Sequence, residues 1–304
     1  MTLFSVPSVP SALESGTRPA HNARVARVRL LAGLCLAVLI WPAGPVGAQL
    51  PFTSQKTSGQ TVTPAFEGWY RNPDGTFTLS FGYYNRNSTE VIEIPIGPAN
   101  FVSPGDRNQG QPTEFQPDRQ WGVFGVRVPA DFGTKEVVWT LTFRGVTYAI
   151  PGFLRPNWQI DALEGEAGSG NTPPGLRFSV DGPEARGPLG LTSPPIAGVV
   201  GTPVALNVWE KDDGKGAMSI ASTGRGAASV VTLAWFRHQG PAAVTFQPAT
   251  VRVASAGAQA TTMATFSEAG DYLIRVRATD SSLTAAGHAQ CCWTNGFFRV
   301  KVTK

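Results

Sequence analysis

Side chains that bind metals or act as nucleophiles are scarce in this sequence: 304 residues hold 3 cysteines, 3 histidines and 3 methionines. Past residue 49 only Cys291, Cys292, His238 and His288 remain of the cysteines and histidines. That is poor material for a zinc site, which wants four well-spread ligands, and for a Ser-His-Asp triad. The short catalytic and nucleotide-binding signatures are absent too: there is no G-x-S-x-G, H-E-x-x-H, P-loop or G-x-G-x-x-G. No cofactor is therefore expected. A carboxylate pair of the glycosidase kind stays open, because separation in space is invisible in a sequence. Long helical periodicities are also lacking, and glycine (34) and proline (25) are plentiful. That combination excludes a helix bundle and fits short strands joined by turns.

Charge is thinly spread and its apparent sign misleads. Four of the 25 basic residues (Arg18, Arg24, Arg27, Arg29) and one of the 21 acidic ones (Glu14) precede residue 49. The remainder is close to neutral, so no nucleic-acid partner is expected, since that needs a basic face on the folded domain. Arg24, Arg27 and Arg29 stand before the apolar run Leu30 to Trp41, and Val46-Gly47-Ala48 supplies small residues for cleavage. This predicts a signal peptide over 1–48, removed before Gln49. The run is shorter than the roughly 20 residues that span a bilayer, so no retained membrane anchor is expected. Leu34 before Cys35 disfavours a lipoprotein site. The protein is expected in the periplasm or at the cell surface.

Between 64 and 152 the sequence predicts a small antiparallel β-sandwich. Asn72-Pro73-Asp74-Gly75 is a turn, after which Phe77, Leu79, Phe81 and Tyr83 alternate with Thr76, Thr78, Ser80 and Gly82. Period-two alternation predicts a strand buried on one face only. Further strands are expected at 91–96, 121–128 and 137–143, the last turning through Arg144-Gly145 into 146–150. Residues 97–120 read as a long connection. The strings FEGWY, GYYNRN, IPIGPANFVSPG and RQWGVF make this span resemble a family of uncharacterised exported bacterial proteins, a resemblance that implies no activity.

Residues 153–194, acidic and then rich in Gly, Ser and Pro, predict a linker with one short strand at Leu176, Phe178 and Val180. A second sandwich is expected over 195–304, with strands around 204–208, 231–236, 243–246, 262–266, 272–278 and 298–302. Gly270-Asp271-Tyr272-Leu273-Ile274 carries a tyrosine where immunoglobulin-type sandwiches tie a corner. With Phe266 before it, the pattern resembles the PKD and cadherin-like extracellular modules, though Ile274 stands where an antibody domain has its second cysteine. That resemblance implies an interaction module rather than a reaction. The fold class predicted is all-β: two antiparallel β-sandwiches, the second immunoglobulin-like.

Several residues could carry binding. Trp69, Tyr70, Tyr84 and Trp121 need not all fit in so small a core, and Tyr84 points opposite to Tyr83. An outward ring beside Arg86 would stack on a sugar or a protein; cross-strand packing is the plainer alternative. Cys291 and Cys292 are candidates for a vicinal disulfide, either a loop staple or a redox-active lip beside Trp293, with a reduced or intermolecular state as the alternative. His288-x-x-Cys291-Cys292 lacks further ligands for a metal. Asp212 and Asp213 offer oxygens for calcium, but Lys211 and Lys215 flank them, and a polar turn serves as well. Asn87-Ser88-Thr89 matches a glycosylation acceptor. The reading is an exported, non-catalytic binding or interaction protein of the bacterial envelope, its partner a protein or glycan. The alternatives are a carbohydrate-binding module and a hydrolase with paired carboxylates.

Overall fold

The computed structural model describes residues 55–163, 170–215, 230–254, 257–280 and 291–304. The expected signal peptide, with Cys35, and also His288 lie outside the described residues. Gln55–Lys304 form one compact unit. Among the described residues every regular element but one is a strand, the exception being a 3-10 turn at Pro156–Trp158.

The first half supplies β1 (Val62–Arg71), β2 (Phe77–Asn85), β3 (Ile92–Glu93), β4 (Asn100–Ser103), β5 (Glu114–Phe115), β6 (Asp118–Val128), β7 (Val137–Phe143) and β8 (Val146–Gly152). Strands β1, β2 and β6 form one antiparallel sheet, β4, β7 and β8 another, and β3 pairs with β5. Alternation sends Val62, Leu79, Phe81, Phe124, Trp139 and Leu141 into a shared core. Local chemistry sets the corners. Gly75, at φ 86°, closes the first hairpin with its N–H donating to the Asn72 carbonyl (3.0 Å). Arg144 and Gly145 both take positive φ, the requirement of the two-residue loop joining β7 to β8.

The second half supplies β9 (Gly175–Arg177), β10 (Leu191–Thr192), β11 (Ile196–Val199), β12 (Val204–Lys211), β13 (Val230–Gln239), β14 (Val244–Gln247), β15 (Thr250–Ala254), β16 (Gln259–Phe266), β17 (Gly270–Thr279) and β18 (Trp293–Thr303). One sheet runs β10-β18-β17-β13-β15, with β11 also on β18; the other runs β14-β16-β12-β9. Between them lie Leu206, Val208, Leu233, Trp235, Ile274, Val276 and Phe298. Tyr272 ties the corner: its hydroxyl donates to the Glu268 carbonyl (2.9 Å).

Four expectations are corrected. The sandwiches are not wholly antiparallel, because β10 and β11 run parallel to β18. The connection at 97–120 contains β4 and β5. The segment at 153–194 gives β9 to one sheet and β10 to the other. Strand β2 is buried on both faces, since Thr78 and Ser80 are fully enclosed. Beside Thr78, Tyr70 packs with Ile160 and Ala162 and against Leu163 and Leu189, so chain following the first sandwich covers the small polar face.

Candidate functional site

The outer face of the β17–β18–β13 sheet packs on the first half through polar contacts. Arg237 on β13 reaches Glu114 (Nε to Oε2, 2.7 Å) and also Glu93. The His238 carbonyl accepts from Thr113 N–H (2.8 Å), and the His238 ring bonds the Gly110 carbonyl (2.7 Å). Gln239 donates to Asn108 and Gln111 (2.9 and 2.6 Å). Burial pushes the His238 ring down to about 3, so it stays neutral at any ordinary pH and is no acid–base catalyst. Glu93 and Glu114, two carboxylates close in space, are both held by one guanidinium.

At the same junction lies a cleft of about 250 Å³, lined by Arg119, Gln120 and Trp121 from β6, Arg277 and Thr279 from β17, and Trp293 from β18. Gly122 fixes how closely its walls approach. It sits at φ 48°, and a Cβ there would strike the Trp293 indole. Its carbonyl accepts from Asn295 Nδ2 (2.7 Å) and Trp293 Nε1 (3.4 Å). Its N–H donates to Glu67 Oε2 (2.5 Å). Glu67 is enclosed and pairs with Arg119 (2.8 Å), whose guanidinium lies 3.9 Å over the Trp121 ring. Behind this wall Arg275 and Arg277 share the Phe236 ring at 4.9 and 5.7 Å. Arg275 is 2 % exposed. Its Nε and Nη1, and Nε of Arg277, are enclosed without a hydrogen bond. Burial, with the Arg277 charge beside it, pushes the Arg275 guanidinium down to about 9.

Burial also raises the Glu67 carboxyl to about 7, against the opposing pull of Arg119 and the Gly122 N–H. The native state therefore holds a proton that the unfolded chain, titrating near 4.5, has released. Stability tied to this group is largest below pH 4.5 and falls as pH rises to about 7. Glu67→Gln, with no proton to lose, is expected to gain about 3 kcal/mol relative to wild type between pH 4.5 and pH 8. Glu210, also raised to about 7, and His238 titrate in both proteins and cancel in the comparison. Urea unfolding of both chains across pH 4.5–8 measures it, and parallel curves would show that Glu67 does not titrate there.

The sequence-predicted residues fare differently. Trp121 lines the cleft. Trp69 is half-buried, donating from Nε1 to the Arg155 carbonyl (2.7 Å) and packing edge-on to Phe77. Tyr70 is buried, its hydroxyl accepting from Leu189 N–H (2.9 Å), and so presents no face to a ligand. Tyr84 is half-buried with Arg86 at 5.2 Å from its ring. Cys291 and Cys292 are bonded to each other across a cis peptide, buried, with both sulfurs against the Asn171 carbonyl oxygen (3.8 and 3.7 Å). They lie inside the protein at the start of β18 rather than on a lip. Asp213 accepts from Thr172 and Lys215, and Asp212 from Gly214, so these oxygens bind their own loop and tie it to the segment at Thr172. Among the described residues no group of three His, Cys, Asp or Glu could hold a metal ion. Asn87 is buried and donates to the Gln60 carbonyl and Asn85 Oδ1, which removes it as a glycan acceptor in the folded state. Arg119, Arg275 and Arg277 were missed as candidates. The one signal was charge on the alternate positions 275 and 277 of a strand, which reads as a solvated face until a second sandwich covers it.

The folded chain is an all-β sandwich protein whose second half is immunoglobulin-like. No protein-family model matches the chain, and no curated protein matches it. Among solved structures it is similar to the D00-D0 domain of intimin, at 10 % identity over 80 % of this chain and 100 % of that one, with a TM-score of 0.25. It is also similar to domains 4 and 5 of the S-layer protein SbsC, at 14 % identity over 81 % and 98 % with a TM-score of 0.22. The adhesin InvE of Yersinia pseudotuberculosis aligns at 12 % identity over 78 % of this chain and 58 % of that one, with a TM-score of 0.20. Values this low leave function to be argued from the site.

Proposed function

We propose that the chain is an exported, non-catalytic binding protein of the bacterial envelope, periplasmic or at the cell surface, which engages its partner at the junction cleft. The observation that carries this is the cleft itself: Arg119, Trp121, Arg277, Thr279 and Trp293 all stand on strands, and Arg119, Trp121 and Trp293 are held by partners already in place. Such walls need little ordering when a ligand arrives, which favours affinity. Arginine does not exchange protons near neutrality, so a cleft whose ionisable lining is arginine suits recognition better than acid–base chemistry. The glycan reading has less support, because guanidinium groups already lie over the Trp121 and Tyr84 rings. The hydrolase reading has less still, with Glu93 and Glu114 both tied to Arg237.

The test is to express the full chain in a bacterial host with a photo-crosslinking residue at Thr279. The reading predicts recovery outside the cytoplasm and a crosslink to an envelope component that is lost when Arg277→Ala is added. Protein retained in the cytoplasm, or a crosslink indifferent to Arg277, would remove the proposal.

A further inference from the structure

The geometry points to a doubly charged tetrahedral oxyanion, the terminal phosphate of a phosphomonoester, as the group that the junction cleft receives. This rests on the binding reading above and names the ligand class. The charge inventory carries it. Of the three arginines in and behind the cleft, Arg119 lies 2.8 Å from Glu67, which matches its charge once the carboxyl ionises above about pH 7. Arg275 and Arg277 have no carboxylate within ion-pair distance among the described residues, and three of their nitrogens are enclosed without a hydrogen bond. A buried cation without a counter-charge is costly, and the cost falls when an anion enters. Arg277 on the wall and Arg275 enclosed behind it leave two positive charges unmatched, which favours a dianion over a carboxylate.

The lining agrees with this. Guanidinium forks bind phosphate oxygens in pairs. Thr279 adds a neutral hydroxyl on the same walls, while the Gln120 amide already donates to the Pro117 carbonyl (2.9 Å). Trp121 and Trp293 flank the charged groups of the cleft. Phe236 lies against the guanidinium groups of both Arg275 and Arg277. A volume of about 250 Å³ admits a phosphoryl group and a short piece of what bears it, not a folded partner.

The test uses the full chain and follows thermal unfolding at fixed pH and ionic strength in titrations with glycerol 1-phosphate, inorganic phosphate, sulfate, acetate and the diester dimethyl phosphate. Glycerol 1-phosphate, phosphate and sulfate should each raise the melting temperature saturably, while acetate and the singly charged diester should not. Vesicles containing phosphatidic acid should compete with glycerol 1-phosphate if the phosphomonoester is a lipid headgroup, and should leave it bound if the ligand is soluble. Arg277→Gln should weaken glycerol 1-phosphate binding about 10–100-fold, and Arg277→Lys, which keeps the charge and loses the fork, should fall between. Arg127→Gln, on the exposed side of β6, should leave it unchanged. Saturation with no oxyanion, equal binding of the diester, or binding unaffected in both Arg277 variants would overturn the inference. Loss of the anion response with the Thr279 crosslink intact rejects the ligand class alone. Loss of the crosslink with anion binding intact rejects the envelope partner alone.

Discussion

Trp139→Ala is expected to lower the stability of the folded chain by about 3–5 kcal/mol, the cost of emptying a large aromatic site. The indole is fully enclosed, with Phe124 edge-on at 5.0 Å, Phe81 edge-on at 6.2 Å and Phe115 stacked at 6.3 Å. Its Nε1 donates to Asn100 Oδ1 (3.0 Å), while the Asn100 amide holds the Ile94 and Pro112 carbonyls. Alanine therefore leaves both a cavity and a buried amide oxygen without its donor, and the two penalties add. Trp139→Phe, which fills most of the space and still orphans Asn100, should cost less. Urea unfolding followed by far-ultraviolet circular dichroism measures both. A loss under about 1 kcal/mol for the alanine variant would mean that the first core is not packed around this ring.

Gly122→Ala is the second large effect, at about 2–4 kcal/mol. Part is backbone: an L-residue at φ 48° is disfavoured by about 1 kcal/mol. The rest is collision, because the new methyl points into the Trp293 ring, and overpacking of this kind costs about 1–3 kcal/mol. Gly145→Ala separates the two. Gly145 also has positive φ, at 76°, but nothing lies within 4 Å of its would-be Cβ, so it reports strain alone. In the Trp293→Ala background the Gly122→Ala penalty should shrink towards the Gly145 value, a non-additivity expected only of residues in contact. If the penalty is unchanged by removal of the indole, Gly122 is not the contact point between the two halves.

The fold was legible wherever one face of a strand meets a core and the other meets water. β7 shows it: Val137, Trp139 and Leu141 point inward, and a positive-φ pair at Arg144-Gly145 returns the chain. It was illegible wherever tertiary contact replaced water. Thr78 and Ser80 look like a solvated face and are enclosed, since their cover comes from chain about 100 residues away. β9, β10 and β5 are two or three residues long, too short for any periodicity to show. The site suffered in the same way. Of the aromatic candidates Trp121 lines the cleft, but the arginines that give the cleft its charge resemble ordinary surface residues. Glu67 sits inside the FEGWY string between Phe66 and Gly68, and nothing local announces that it will be buried beneath Arg119.

The Asn295 amide donates at once to the Gly122 carbonyl of the first half and to the Pro188 carbonyl of the segment that follows it (2.7 and 2.8 Å). Cutting the gene between the halves would thus strand polar atoms in the dark on either side of the cut. Modules of this architecture strung as beads can be shuffled, duplicated or trimmed singly. Here the pair is heritable only as a whole, and a fragment ending before β18 should be recovered as aggregate rather than as a smaller working protein.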